Sequence, residues 1–317
     1  MGNLALQDGN YQDAIDLFDE SLEVDPNFSL ALNNRGVARM ELDHPYEAIL
    51  DYNQAILKDG EYLDALFNRA YAYEEIGQFD KALRDVLKIK TIRPDSAFVY
   101  FYEGIVLTKL RSYTKALESL RKSDFLLPDN PETIVNIATV HYLMDEFDLA
   151  SNKLKEGINL NPNDPNASNL LSLIHLKKGN YLAALVEINR ALDEVPEEPY
   201  FLNNRGYVYL QMDSLNLALS DINKSILLNP KNGWAYRNKG LYFMRVGEFD
   251  QAIRLLTRAT EEPDFIDEVY SYLGTALQKN GDLEKACEAW LNGKERSEQE
   301  SQRLFDQNCE GSFTKIN

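Results

Sequence analysis

Alanine recurs at Ala14, Ala48, Ala82, Ala116, Ala150, Ala184, Ala218, Ala252 and Ala286, each 34 residues after the last, with no insertion anywhere in the series. A fixed period of this length is what a stacked array of identical two-helix units produces, and it replaces the expectation of two globular domains that 317 residues would otherwise set. Twelve residues before each alanine stands a small residue: Gly2, Gly36, Ala70, Gly104, Ala138, Ser172, Gly206, Gly240 and Gly274. Two small residues at constant separation let two helices approach closely.

Proline follows the alanine by twelve residues at Pro26, Pro94, Pro128, Pro162, Pro196 and Pro230, where it ends one helix and suits the entry to the next. Gly60 and Asp264 break the rule, Pro263 lying one residue early. Turn sequences such as DGNY (8–11), IGQF (76–79), KGNY (178–181) and VGEF (246–249) split each unit in two.

Small, alanine and proline landmarks on a 34-residue period resemble the tetratricopeptide repeat family, particularly its bacterial members. The resemblance covers nearly the whole chain and implies an all-α, right-handed superhelix closed by a C-terminal capping helix. It divides the chain into a truncated first repeat (1–28), seven complete repeats (29–62, 63–96, 97–130, 131–164, 165–198, 199–232 and 233–266) and a last repeat (267–297). A polar cap (298–310) carrying Leu304 and Phe305 follows, then a flexible tail (311–317). In this register Met1 is the seventh place of its unit, so the natural chain is expected to extend upstream.

No apolar run approaches a membrane span, so no direct insertion is expected of this chain. Asp and Glu outnumber Lys and Arg by 51 to 33, a formal charge of -18 that repels phosphate backbones and argues against nucleic acid as a partner. Glycine-rich phosphate loops, GxSxG, HExxH and CxxC are all missing from the sequence, so neither catalysis nor a cofactor is expected. His44, His141 and His175 lack aligned further ligands, and a structural role is expected for them rather than a metal site.

Arg35, Arg69 and Arg205 each have an aspartate 16 residues later, at Asp51, Asp85 and Asp221. In an antiparallel hairpin turning at the midpoint these face each other, which predicts an ion pair inside each repeat. The same mirror argument about residue 298 brings Cys287 and Cys309 together, as a disulfide in an oxidising compartment or as packed thiols in cytosol. Envelope or periplasm is preferred over cytoplasm as the location.

The resemblance implies that the first helix of each repeat lines a concave groove holding a protein or peptide ligand. Its sixth place is Asn34, Asn68, Asn136, Asn204 and Asn238, amides that bond either a ligand backbone or their own array. Aromatics at other groove places cluster as Phe67, Tyr71, Phe98 and Phe101, and again as Tyr200, Tyr207 and Trp234, with Phe101 and Trp234 the leading contact candidates and Arg237 the one basic residue at a fifth place. The lysine and asparagine with which one subset of the family grips a chaperone's terminal carboxylate are missing from their places. A binding scaffold is therefore the expected function, with an assembly component capable of self-association, or an accessory module to an enzyme on another chain, as alternatives.

Overall fold

The computed structural model describes residues 1–262 and 265–309, and among these it is all-α, with nineteen helices and no strand. Pro263, Asp264 and the expected tail 311–317, with the last residue of the expected cap, lie outside the described residues.

The helices group into two compact units. The N-terminal unit, Met1–Leu160, contains α1 (Gly2–Gln7), α2 (Tyr11–Val24), α3 (Ser29–Glu41), α4 (Pro45–Lys58), α5 (Leu63–Glu75), α6 (Phe79–Ile92), α7 (Ala97–Lys109), α8 (Tyr113–Leu126), α9 (Pro131–Leu143) and α10 (Phe147–Leu160). The C-terminal unit, from Asn161 onward, contains α11 (Pro165–Lys177), α12 (Tyr181–Glu194), α13 (Pro199–Gln211), α14 (Leu215–Leu228), α15 (Gly233–Arg245), α16 (Phe249–Thr260), α17 (Val269–Lys279), α18 (Leu283–Glu295) and α19 (Gln299–Asn308). Odd-numbered helices are the first of each hairpin, and α19 stands in the first-helix position beyond the last hairpin.

The alanine series is the seam of every hairpin: all nine are fully buried. Opposite them, each glycine of the small-residue series faces a large side chain 16 residues on. A Cβ on Gly36 would come within 2.5 Å of the Tyr52 ring, and one on Gly274 would collide with the Trp290 indole. Close approach of the backbones is thus what makes room for the buried rings.

The turn between the two helices needs one residue with left-handed backbone, and this too keeps the 34-residue period: Gly9, Asp43, Gly77, Arg111, Asp145, Gly179, Asp213, Gly247 and Gly281 all have φ between 56° and 91°. Glycine adopts that conformation freely and aspartate tolerates it, whereas Arg111 is held there by the hairpin packing on either side. The turns that lack a glycine signal in sequence therefore have the same geometry as those that show it.

The pattern loosens between α16 and α17. Helix α16 stops at Thr260, α17 starts only at Val269, and Glu268 before it is left-handed with φ 58°. The amides at the start of α17 are capped from a distance: the buried Glu298 carboxylate accepts from Tyr270 N and Ser271 N, at 3.4 and 3.2 Å, and from the Ser301 hydroxyl at 2.7 Å. Burial pushes this carboxyl above its ordinary pKa, against the opposing pull of those three hydrogen bonds.

Candidate functional site

The first helices of neighbouring repeats lie side by side within each unit, α3 with α5 and α7 with α9, then α11 with α13, α13 with α15 and α17 with α19. Their shared face is where the resemblance puts ligand contacts.

Each arginine of the 16-residue series bridges two repeats. Arg35 donates from Nε to Asp51 at 3.0 Å and from another nitrogen to Asp19 of the preceding repeat at 2.5 Å. Arg69 pairs with Asp85 at 2.6 Å and reaches back to Asn53 at 2.7 Å, and Arg205 pairs with Asp221 at 2.7 Å and reaches back to Asn189 at 3.0 Å. The reach back is as regular as the forward pair, so the guanidinium stitches repeats as well as hairpins. Where the arginine gives way to Glu103 the chemistry is inverted, with Lys90 and Ser119 donating to that carboxylate at 2.8 and 3.0 Å.

The asparagines are joined to one another. Asn68 donates to Asn33 at 2.9 Å, Asn204 to Asn169 at 2.8 Å and Asn238 to Asn203 at 2.8 Å, each linking the sixth place of one repeat to the fifth of the one before. Asn34 donates to Asn3 at 2.9 Å. Asn136 follows a repeat whose fifth place is Phe101 and, without an amide opposite, turns to its own helix at the Glu132 carbonyl, 2.9 Å away. The amides face their own array, the second of the two readings left open by sequence.

Three residues singled out for ligand contact are packed instead. Phe101 is 9% exposed and sits in a core with Leu117, Leu120 and Ile137, and Asn238 is 1% exposed. Arg237, 5% exposed, donates to the Asp267 carbonyl at 3.0 Å and to Asn238 Oδ1 at 2.9 Å. Its guanidinium carbon lies 4.8 Å from the Trp234 ring, 5.1 Å from Tyr207 and 6.0 Å from Tyr272, so these rings are occupied by the chain's own cation. Burial of charge demands partners, and Arg237 finds all of them within the fold.

The other aromatic cluster is open. Phe98 is 58% and Tyr71 51% exposed. Phe98 stacks 6.4 Å from Tyr102 and lies 5.4 Å from Phe67, and these rings fill the space between α5 and α7. Tyr102, which the sequence reading passed over, donates to Glu74 at 3.1 Å. Burial foremost, and then Glu74, hold its phenol far above the ordinary tyrosine range. The signal was available: Tyr102 and Asn68 share the sixth place, and a tyrosine there marks an aromatic pairing, Phe67 with Tyr102 at 6.3 Å, in place of an amide pairing.

In the C-terminal unit, Tyr200 is 42% exposed. A cavity of about 450 Å³ opens beside Tyr207, Leu241, Met244 and Tyr272, with Glu300 and Leu304 of α19 as one wall. Cys287 and Cys309 form a disulfide that ties the end of α19 to α18. His141 bonds Glu146 through Nδ1 at 2.6 Å, and among the described residues no group of three His, Cys, Asp or Glu side chains could hold a metal. No described helix is long and apolar enough to cross a membrane.

A family model for the tetratricopeptide repeat matches residues 1–60, 38–97, 136–199 and 237–299, and a second model of the same description matches 199–232. DnaJ homolog subfamily C member 7 of Mus musculus is 37% identical over 93 residues, 28% of this chain and 19% of that protein. The Schizosaccharomyces pombe homolog of that protein is 36% identical over 89 residues, again 19% of its length, so the match spans about a fifth of these relatives. Among solved structures, a tetratricopeptide repeat protein from Parabacteroides merdae is similar with a TM-score of 0.61 at 15% identity, over 78% of this chain and 98% of that one. Yeast Tom70 is similar with a TM-score of 0.59 at 17% identity, over 94% and 62%. At such identities the likeness is one of fold. The repeated hairpins and the family models that cover most of their length agree, and this chain belongs to the tetratricopeptide repeat family.

Proposed function

We propose that the chain is a non-catalytic protein-interaction scaffold, holding a segment of a partner protein on the face made by its first helices. The observation that carries this reading is the exposure of Phe98 and Tyr71 on neighbouring first helices, while asparagines of that face are bonded to one another. Large rings left in water on a rigid face are typical anchors for a partner, since they bury much area at little entropic cost. The proposal extends to location: a disulfide between Cys287 and Cys309 persists in an oxidising compartment, which favours a periplasm or cell envelope over cytoplasm.

The test is photo-crosslinking in extract of the source cells, with a photoreactive phenylalanine at position 98 and, as control, at the exposed Glu118 on α8. A discrete protein captured from position 98 alone is the expected result. Equal capture from both positions, or none from position 98, removes the reading.

A further inference from the structure

The two aromatic clusters occupy the same register, four repeats apart. Tyr71 corresponds to Tyr207, Phe98 to Trp234, and Phe101 to Arg237. In the C-terminal unit the tyrosine and the tryptophan close on the guanidinium of Arg237 at 5.1 and 4.8 Å. In the N-terminal unit that place holds an apolar ring turned into the core, so the fold supplies no guanidinium from there, and Tyr71 and Phe98 stay half in water. Among the described residues no cation stacks on either ring.

The surroundings differ in charge in the same register. Where the C-terminal unit has Lys177, Leu210 and Gln211, the N-terminal unit has Glu41, Glu74 and Glu75. Partial burial, then the charges of Glu75, Glu74 and Glu41, raise the pKa of the Tyr71 phenol, which places the three carboxylates within electrostatic reach of one ring. Glu41 and Glu75 are exposed at the edge of the face.

We infer that the Tyr71–Phe98 face receives an arginine side chain from a basic segment of a partner protein, its guanidinium stacked on the two rings and its charge met by Glu75 and Glu41. The inference rests on the scaffold reading and names the chemistry of the partner. Arginine is the cation that the molecule itself places between equivalent rings, and a planar, weakly hydrated guanidinium stacks on aromatic faces better than an ammonium. The carboxylates supply complementary charge at the rim, which steers a basic segment to the site and weakens as salt rises.

The experiment is fluorescence anisotropy at physiological salt, with a fluorescein-labelled peptide of repeated Gly-Ser-Arg and a matched peptide carrying neutral citrulline for arginine. The arginine peptide is expected to bind, with the citrulline peptide and the Tyr71→Ala/Phe98→Ala variant each weaker by about tenfold. Both rings are exposed, so the variant should melt with the native protein; should it not, Glu41→Gln/Glu75→Gln replaces it, with a loss of about fivefold expected. Glu118→Gln removes a charge elsewhere and is expected to bind as the native chain does. No binding of the arginine peptide, equal binding of the citrulline peptide, or ring and carboxylate variants within about twofold of native overturns the inference. Failure here with discrete crosslinking at position 98 leaves the scaffold standing and removes only the arginine; failure of both removes the site.

Discussion

The two first-helix faces are built on one register and come to opposite ends. Around Trp234 the C-terminal unit closes on itself: its rings hold Arg237, its cavity has the cap as a wall, and a disulfide fastens that cap. Around Phe98 the N-terminal unit stays open, with rings in water and carboxylates at the rim. The exchange at the fifth place, arginine for phenylalanine, together with the three carboxylates at the rim, separates a satisfied structural cluster from one with an unspent face. In a repeat array the backbone contributes the same geometry everywhere, so function has to reside in which places the array leaves unfilled.

The comparison is most forcefully broken at the staple. The disulfide encloses a separation of 22 residues, and replacing Cys287 and Cys309 by serine is expected to cost about 3 kcal/mol by chain entropy. Amide exchange should show α19 released while the N-terminal unit keeps its protection. Unchanged exchange in α19 would mean that the cap is held by packing alone.

Next comes the cation itself. Arg237→Leu leaves the carbonyl of half-buried Asp267 and the buried Asn238 amide oxygen short of donors, with an expected loss of about 2–3 kcal/mol in urea denaturation. Phe98→Ala, at the place corresponding to Trp234, is expected to change stability by no more than about 0.5 kcal/mol, since its ring is largely exposed. Equal losses from the two would erase the distinction between a closed cluster and an open one.

The smallest effect is on pH. The Glu298 carboxyl is raised in the folded chain, so the folded state holds its proton to higher pH than the unfolded state does. Its contribution to stability is complete below the unfolded pKa of about 4.3 and is lost as pH rises through the folded value. Glu298→Gln should flatten this part of the stability profile of the C-terminal unit, and a profile identical to native would exclude Glu298 as its source.

Much of this was written in the chain. The 34-residue period fixed the hairpins, and the 16-residue spacing paired Arg35 with Asp51, Arg69 with Asp85 and Arg205 with Asp221. The mirrored spacing also brought Cys287 to Cys309. Mirror symmetry about a turn is a local property, and so it can be read from separation along one hairpin. Contacts between repeats obey a second spacing, fifth place to sixth of the next repeat, which no single hairpin contains; the asparagines therefore suit a ligand or their own array equally well in sequence, and the tertiary structure joins them to each other.

What the sequence by itself determined is the hairpin: its period, its seam of alanines, its turns and its internal ion pairs, because each follows from residues a fixed and short distance apart on rigid helices. What only the tertiary structure decided is which groove residue is spent. Phe101 and Phe98 are three residues apart on α7, yet one is in the core and the other in water. A residue type reports what a side chain can bind, whereas its burial depends on the neighbouring helices that reach it first.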